Sequence, residues 1–275
     1  MGHTSDCPDY AEVPIKRFSA IGTNGETVNE ARDTVIVESS LTVLYRTISV
    51  NIPSCSPSGM KYLALGHLLT GGLLRYADRV VELRCLPEKN VIYVETEQTA
   101  SEDAPKPAKL PEAGSGRHLE QTPPVSEPYP IFDPGTMCEI FDDLLKRSSL
   151  FEMTGASHAA ALCDNKGILL WHEDIGRHNA VDKVIGHAFL ERIPLDNKMV
   201  ALTGRINAEI VDKMVSAEIS IVASKAPPTD VAVKTAQKTG VTIIGFVRDR
   251  RMTVYSNSER VAGIDPAGRK HTKPG

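Results

Sequence analysis

The chain has 275 residues, of which 41% are hydrophobic and 24% are charged. This composition is typical of a globular protein, and it excludes a collagen-like or wholly disordered chain. The net charge of −4 excludes a general electrostatic binder of nucleic acid, so any anion site has to be local.

The first part of the chain predicts an arm followed by a small subdomain. Residues 1–34 are polar and mixed, with Gly22, Gly25 and several charges, and they predict a loosely held N-terminal arm. Residues 35–97 predict an N-terminal α+β subdomain, with Ser56 or Ser58 capping its helix. Within it we expect a strand and hairpin over 35–52, a helix over 57–70, and strands over 79–85 and 90–97.

A proline-rich segment separates this subdomain from the rest of the chain. Residues 98–134 contain eight prolines together with Ser, Glu, Lys and Gly, and they show no helical or strand periodicity. This pattern predicts a mobile loop or linker.

The second part predicts a larger α/β domain over residues 135–263, followed by a tail over 264–275. Strands alternate here with helices of 10 to 15 residues, which favours a three-layer α/β domain with a largely parallel or mixed sheet. A helix is expected to begin at Asp133-Pro134, with Ile140, Leu144 and Leu145 on one face. We then expect strands over 158–163, 168–172, 199–203, 219–224, 241–247 and 252–256, and helices over 178–191, 207–217 and 228–238.

Location is predicted from the absence of two patterns. No stretch approaches the ~20 apolar residues that cross a bilayer, and residues 1–10 lack the apolar core of a signal peptide. The five cysteines contain no C-x-x-C pair, which favours a reducing compartment over a disulfide framework. We therefore expect a cytoplasmic protein with no membrane partner.

The densest polar segment lies where a strand is expected to end and a helix to begin. It runs from His172 to Lys183 and contains Glu173, Asp174, Gly176, Arg177 and His178. Ligands of α/β sheets bind beyond the carboxyl ends of strands, and a helix N-terminus offers free N–H groups to an anion. The alternative is a solvated turn in which Asp174 or Asn179 only caps the helix.

Two further junctions also place polar residues after an expected strand. At the second, from Leu202 to Asn207, Gly204 would let a ligand approach the backbone, and Arg205 would bind a phosphate. The third junction has three arginines and an aromatic ring, which suit a nucleotide, although a solvated hairpin turn is the alternative. Its residues are Phe246, Val247, Arg248, Asp249, Arg250 and Arg251.

His158 raises the possibility of a zinc-dependent deaminase. Zinc deaminases combine H-x-E with a distant P-C-x-x-C. Here the Glu position is Ala160, and the segment after Pro227 has no cysteine. Deamination is therefore a distant alternative, and an ordinary core histidine is the simpler interpretation.

Four segments together resemble the FdhD family of formate dehydrogenase accessory sulfurtransferases. They are TGASHAAAL (154–162), HEDIGRHNAVDKVIG (172–186), TGRINAEIVDK (203–213) and GFVRDRRMTVY (245–255). The resemblance implies a cytidine-deaminase-like α/β/α core without zinc. It also implies transfer of sulfur from a cysteine desulfurase to the molybdenum bis(molybdopterin guanine dinucleotide) cofactor, before that cofactor enters formate dehydrogenase.

The same resemblance implies which residues bind the cofactor and which proteins are partners. GDP would serve as an analogue of the bound cofactor. Formate dehydrogenase and a cysteine desulfurase would be partners, and the chain would form a homodimer. The cofactor-binding residues would be Phe246 to Arg251, with Gly155, His158, Glu173, Asp174, Gly176, Arg177, His178, Gly204 and Arg205.

This sequence departs from the family in its sulfur-carrying loop. The family's loop has the pattern G-C-G-x-C-G, whereas the best counterpart here runs from Gly114 to His118 and places Ser115 and His118 at the cysteine positions. A serine hydroxyl cannot hold a persulfide. Either this protein transfers sulfur by a different route, or it is a cofactor-binding chaperone that transfers none. The sequence therefore leaves open whether the protein is a sulfurtransferase. Cys55, Cys85, Cys138 and Cys163 are interpreted as ordinary core or edge cysteines.

Overall fold

The structure is a computed structural model that describes residues 8–19, 27–97 and 130–264. Its N-terminal elements are β1 (Tyr10–Ser19), β2 (Thr27–Ile36), β3 (Ser39–Tyr45), β4 (Ile48–Cys55), α1 (Met60–Thr70), β5 (Val80–Leu86) and β6 (Val91–Thr96). The C-terminal elements are α2 (Pro134–Arg147), α3 (Ser149–Thr154), β7 (His158–Asp164), β8 (Gly167–Asp174), α4 (Arg177–Leu190), β9 (Met199–Leu202), α5 (Ala208–Ser216), β10 (Ile221–Ser224), α6 (Asp230–Thr239), β11 (Thr242–Arg248) and β12 (Arg251–Val254).

The N-terminal arm contains regular structure that the sequence analysis did not expect. Strands β1 and β2 pair antiparallel, from Tyr10 opposite Ile36 to Ser19 opposite Thr27. The partly buried Val13 and Ile15 alternate with exposed neighbours, which is the period of a half-buried strand. The sequence analysis did not predict these strands, because the mixed polar composition of the segment obscured a short alternation.

The four-stranded sheet has the order β4-β3-β6-β5. Strand β3 pairs antiparallel with β4 and parallel with β6. Leu41, Val43 and Val94 are buried on one face of this sheet and belong to the same core as α1. Helix α1 begins after Gly59, which has φ 67°. Neither predicted serine caps it.

The six-stranded sheet has the order β12-β11-β10-β9-β7-β8. Strands β9, β10 and β11 are parallel, whereas β7, β8 and β12 pair antiparallel with their neighbours. One face of the sheet is covered by the core that includes α4, α5 and α6. The other is covered by α2. The predicted three-layer α/β fold with a mixed sheet is confirmed.

Helices α2 and α3 differ in detail from the expectation. The buried face of α2 consists of Met137, Ile140, Phe141 and Leu144, whereas Leu145 is 38% exposed. Leu145 was therefore assigned to the wrong face. The sequence analysis missed α3, whose first turn is held by a glutamate 23 residues away. Of the described residues, none belongs to a helix long and apolar enough to cross a membrane.

Candidate functional site

The three predicted junctions lie at one edge of the six-stranded sheet. Leu202 at the end of β9 is opposite Ser224 at the end of β10. The same Leu202 is opposite Ala160 near the start of β7, and His158 is opposite Asp174 at the end of β8. The polar segments that follow β8 and β9 therefore converge with the start of β7, as the topology of α/β sheets leads us to expect.

Glu173 is an internal anchor. Its side chain accepts hydrogen bonds from the backbone N–H of Leu150 (3.0 Å) and of Phe151 (2.9 Å), and from the hydroxyl of Ser157 (2.7 Å). The residue is buried. Both carboxylate oxygens are occupied by protein donors, so the position of Glu173 explains the start of α3 and gives no support to the predicted contact with a ligand.

Asp174 has an equally internal position and forms a buried ion pair. Its Oδ2 lies 2.6 Å from Lys183 Nζ, and both side chains are fully buried. The same oxygen accepts from the backbone N–H and the hydroxyl of Ser56, whereas Oδ1 accepts from Gly176 N and Asn179 Nδ2. Ser56 therefore links the N-terminal subdomain to this pair, which is why it does not cap α1.

Asp182 extends this internal network to two more helices. Lys213 Nζ lies 2.7 Å from each of its carboxylate oxygens, and Thr70 donates to Oδ1 at 2.9 Å. Burial raises the pKa of Asp182, but Lys213 and His67 outweigh this effect and hold it at about 2. Most of the motif EDIGRHNAVDK therefore joins α1, α4, α5 and β8, and only part of it faces the sheet edge.

Arg177 is the member of this motif with an unused donor. It is partly buried at the start of α4, and its Nε is buried without a hydrogen-bond partner among the described residues. Gly204 makes room for it: a Cβ on Gly204 would lie 2.8 Å from the Cβ of Arg177 and 2.9 Å from its Cδ. Gly176 precedes α4 with no side-chain cap, and Arg205 is exposed beside Gly204.

The two histidines of this edge are held by the protein in different ways. His178 Nε2 lies 3.1 Å from Asn207 Oδ1 and 3.1 Å from Glu209 Oε2, which directs its ring toward α5. Burial, and next the charge of Arg177, lower the pKa of His158. His158 is therefore a neutral hydrogen-bonding group at pH 7. Gly155, with φ 66°, ends α3 and is exposed.

The arginine-rich segment forms a tight hairpin between β11 and β12. Arg248 pairs with Arg251 across the turn, and the strand register shifts between Gly245 and Arg248. Phe246, Asp249 and Arg250 have φ values of 54°, 51° and 54°, in the left-handed region that few non-glycine residues adopt. Such strain and such bulges re-aim side chains and concentrate near functional sites.

This hairpin lines a cavity of about 730 Å³ together with the first turns of α2. The guanidinium of Arg248 lies 5.6 Å from the centre of the Phe246 ring. Val247 is buried in the core instead, and Asp249 pairs with Arg251. We name this the arginine cavity. It is lined by Pro134, Gly135, Cys138, Phe246, Arg248, Arg250, Arg251, Met252 and Thr253.

Some predicted residues cannot be placed, and one was missed. Ser115 and His118 lie outside the described residues, as does most of the proline-rich segment. The sequence analysis treated Cys138 as an ordinary core or edge cysteine. It is partly exposed and lines the arginine cavity. Its place four residues after Pro134, one helical turn away, was the available signal.

Comparison with known proteins gives a consistent family. The model of the FdhD/NarQ family matches residues 36–262. The sulfur carrier protein FdhD of Bacillus licheniformis is 31% identical over 246 residues, which cover 86% of this chain and 93% of that protein. The sulfur carrier protein FdhD of Saccharolobus solfataricus is 31% identical over 255 residues, covering 90% and 99%.

A solved structure agrees with these relatives. A crystal structure described as that of a formate dehydrogenase accessory protein from Desulfotalea psychrophila superposes with a TM-score of 0.74 at 25% identity. The match covers 91% of this chain and 99% of that one. Sequence and fold together show that the chain belongs to the FdhD/NarQ family.

Proposed function

We propose that this protein is a sulfur carrier for formate dehydrogenase that acts in the cytoplasm. It would accept sulfur from a cysteine desulfurase and pass it to the molybdenum bis(molybdopterin guanine dinucleotide) cofactor before insertion into formate dehydrogenase. Family membership, and relatives called sulfur carrier proteins, support the first part. The arginine cavity supports the second part, because its chemistry suits a nucleotide that carries phosphates.

The arginine cavity is the observation that carries this proposal. Arg248, Arg250 and Arg251 are exposed at its wall, and guanidinium groups bind phosphate oxygens in a bidentate geometry. Phe246 is half-buried beside them and offers a ring on which a base can stack. These four side chains would hold the guanine nucleotide part of the cofactor.

The sheet edge at Arg177 offers further contacts to an anionic ligand. The guanidinium groups of the partly buried Arg177 and the exposed Arg205 provide donors there. His158 would add a neutral hydrogen bond, because burial lowers its pKa. The carboxylates of Glu173 and Asp174 would act indirectly, by fixing the backbone that presents Arg177.

Calorimetry with GDP tests the nucleotide part of this proposal. Arg248→Ala together with Arg251→Ala should weaken binding at least tenfold, since one charged hydrogen bond contributes about 1.5–3 kcal/mol. Arg79→Ala with Arg84→Ala is a matched control, because it removes the same charge from exposed positions of the small sheet. If the two double variants bind GDP with equal affinity, the arginine cavity is not part of the GDP-binding site.

The alternative is a cofactor-binding chaperone that transfers no sulfur. The observation that favours it is the absence of cysteine from the segment between Gly114 and His118. If this segment corresponds to the family's cysteine loop, Ser115→Cys should create a new sulfur acceptor there, next to the positive charge of Arg117. Sulfur taken up from a desulfurase would be mapped by mass spectrometry. A variant that takes up no sulfur at position 115 would show that this correspondence is wrong.

A further inference from the structure

Sulfur carriage requires a thiol that a donor can reach, and the structure separates the cysteines by this criterion. Cys55 and Cys163 are fully buried. Burial raises the pKa of Cys55 to about 12 and also raises that of Cys163. Cys85 is half-buried on β5 and packs against the apolar core. Cys138 is also partly buried and packs against the core under α2, but of the described cysteines it is the one that lines the arginine cavity.

The position of Cys138 on α2 aims it at the arginines. Asp133 caps this helix by accepting from the backbone N–H of Thr136 at 2.8 Å, which fixes the first turn. Met137 is fully buried in the core. Its neighbour Cys138 shares a helix face with Pro134 and lines the same cavity. Cys138 and the three arginines therefore line one cavity of about 730 Å³, and the charge of Arg250 acts on the thiol.

We propose that Cys138 is the sulfur-accepting thiol of this protein, in place of the loop cysteines that its sequence lacks. The inference rests on the proposed sulfur-carrier function and concerns the loading step. The Cys138 thiolate attacks the outer sulfur of a donor cysteine persulfide. A new bond forms between Cys138 Sγ and that sulfur, the donor's S–S bond breaks, and the donor cysteine leaves as a thiolate. The step is an exchange with no net oxidation.

Charges of both signs surround Cys138. Burial raises the pKa of the Cys138 thiol, the charge of Arg250 lowers it, and the carboxylates of Asp142, Asp133 and Glu139 raise it. A persulfide is more acidic than the thiol from which it forms, so the loaded group is an anion near neutral pH. That anion would sit beside Arg248, Arg250 and Arg251, where cations stabilise negative sulfur.

Mapping of transferred sulfur tests this inference directly. The full-length chain is incubated with glutathione persulfide, alkylated, digested, and analysed by mass spectrometry for peptides with one added sulfur atom. We expect the added sulfur on Cys138. Cys138→Ser should lose it, whereas Cys7→Ser and Cys85→Ser should keep it.

The variant Arg250→Gln distinguishes a Cys138 that accepts sulfur from a Cys138 that only packs against its neighbours. It should slow loading about tenfold at constant pH and move the pH dependence of loading to higher pH, because the thiolate loses a nearby cation. Arg84→Gln is the control, since Arg84 is exposed on the four-stranded sheet, stacks over Tyr93 and does not line the arginine cavity. Unfolding midpoints verify that both variants are folded.

Three results would overturn the proposal. Sulfur mapped to Cys7 or Cys85 would refute Cys138 while leaving sulfur carriage intact. Sulfur on no cysteine would refute both the acceptor and the carrier function, even if GDP still binds. Loading of Cys138 that is insensitive to Arg250 would refute the role of the arginine cavity in the step.

Discussion

At the scale of single residues, the segment EDIGRHNAVDK has mainly internal contacts. Asp174, Asp182 and Lys183 are buried and satisfied by protein partners, whereas the buried Nε of Arg177 has no hydrogen-bond partner within the described part of the chain. A buried charge is tolerated only when it is paired and hydrogen-bonded. The buried residues of this segment therefore meet an internal electrostatic requirement.

The pair of Lys183 and Asp174 gives a direct test of this interpretation. Lys183→Met should lower the free energy of unfolding by about 3–5 kcal/mol, because it leaves the carboxylate buried without its cation. Denaturant titration measures the change. Lys234→Met is the control: its partner Asp230 is 76% exposed, so we expect a loss below about 1 kcal/mol. Equal losses in the two variants would contradict the internal role.

At the scale of elements, α1 and α4 form the main joint between the two sheets. Their backbones approach so closely that a Cβ on Gly66 would collide with the carbonyl oxygen of Asp182, and a Cβ on Gly186 with that of Tyr62. Tyr62 stacks on His187, and His187 Nδ1 lies 2.9 Å from His172 Nε2. The joint therefore combines two small residues with a half-buried pair of histidines.

Gly66→Ala tests how closely α1 and α4 approach each other, because a close contact reverses the sign of its effect on the free energy of unfolding. In an ordinary helix this change stabilises by up to about 1 kcal/mol, because alanine has the higher helix propensity. Here it should destabilise by about 2 kcal/mol or more, since the clashing atoms are backbone. Gly135→Ala is the comparison: its Cβ would meet only the side-chain oxygen of Asp133 that caps α2, so its loss should not exceed that of a helix cap, about 1 kcal/mol. A stabilised Gly66→Ala protein would show that the helices can move apart freely.

The histidine pair predicts loss of stability in acid. Burial, then the nearby His187 and Lys183, lower the pKa of His172 from 6.5 to about 3. Its neutral form is therefore favoured in the folded state. Stability is complete above the unfolded value near 6.5 and falls as the pH drops toward 3, with a slope of about 1.4 kcal/mol per pH unit from this group.

His172→Gln should reduce that slope by about 1.4 kcal/mol per pH unit, because one proton fewer is taken up on unfolding. The free energy of unfolding would be measured by urea titration at several values between pH 6.5 and pH 4. Burial also lowers the pKa values of His158 and His187, so part of the slope should remain in the variant. An unchanged slope would mean that His172 takes up its proton without disturbing the fold.

At the scale of the whole molecule, the spacing of hydrophobic residues predicted the alternating elements of the larger domain, because each strand and each helix has its own hydrophobic periodicity. They could not predict α3, because Glu173 holds it from a distance in sequence. Glu173 and Asp174 were expected at a binding site because a sequence shows that a residue is charged but does not show whether it is buried. Cys138 was overlooked for a similar reason, since only folding brings α2 against the arginine hairpin.

The proline-rich segment allows a test of how the two sheets are joined. Its composition predicts that trypsin cleaves after Lys109 and Arg117, although these residues lie outside the described part of the chain. One hydrophobic core runs from Leu41 on the small sheet to Val222 on the large one, and Ser56 bonds across it to Asp174. We therefore expect the two fragments to stay together after cleavage, because the apolar surface between them remains buried.

Size-exclusion chromatography of the nicked protein checks this expectation. The fragments should co-elute without denaturant and separate in urea. Lys183→Met should separate at a lower urea concentration than the parent, because it weakens the contact at Ser56. Fragments that separate in buffer alone would show that the core divides into two independent domains at the segment between residues 98 and 129, and that α1 and α4 do not hold the molecule together.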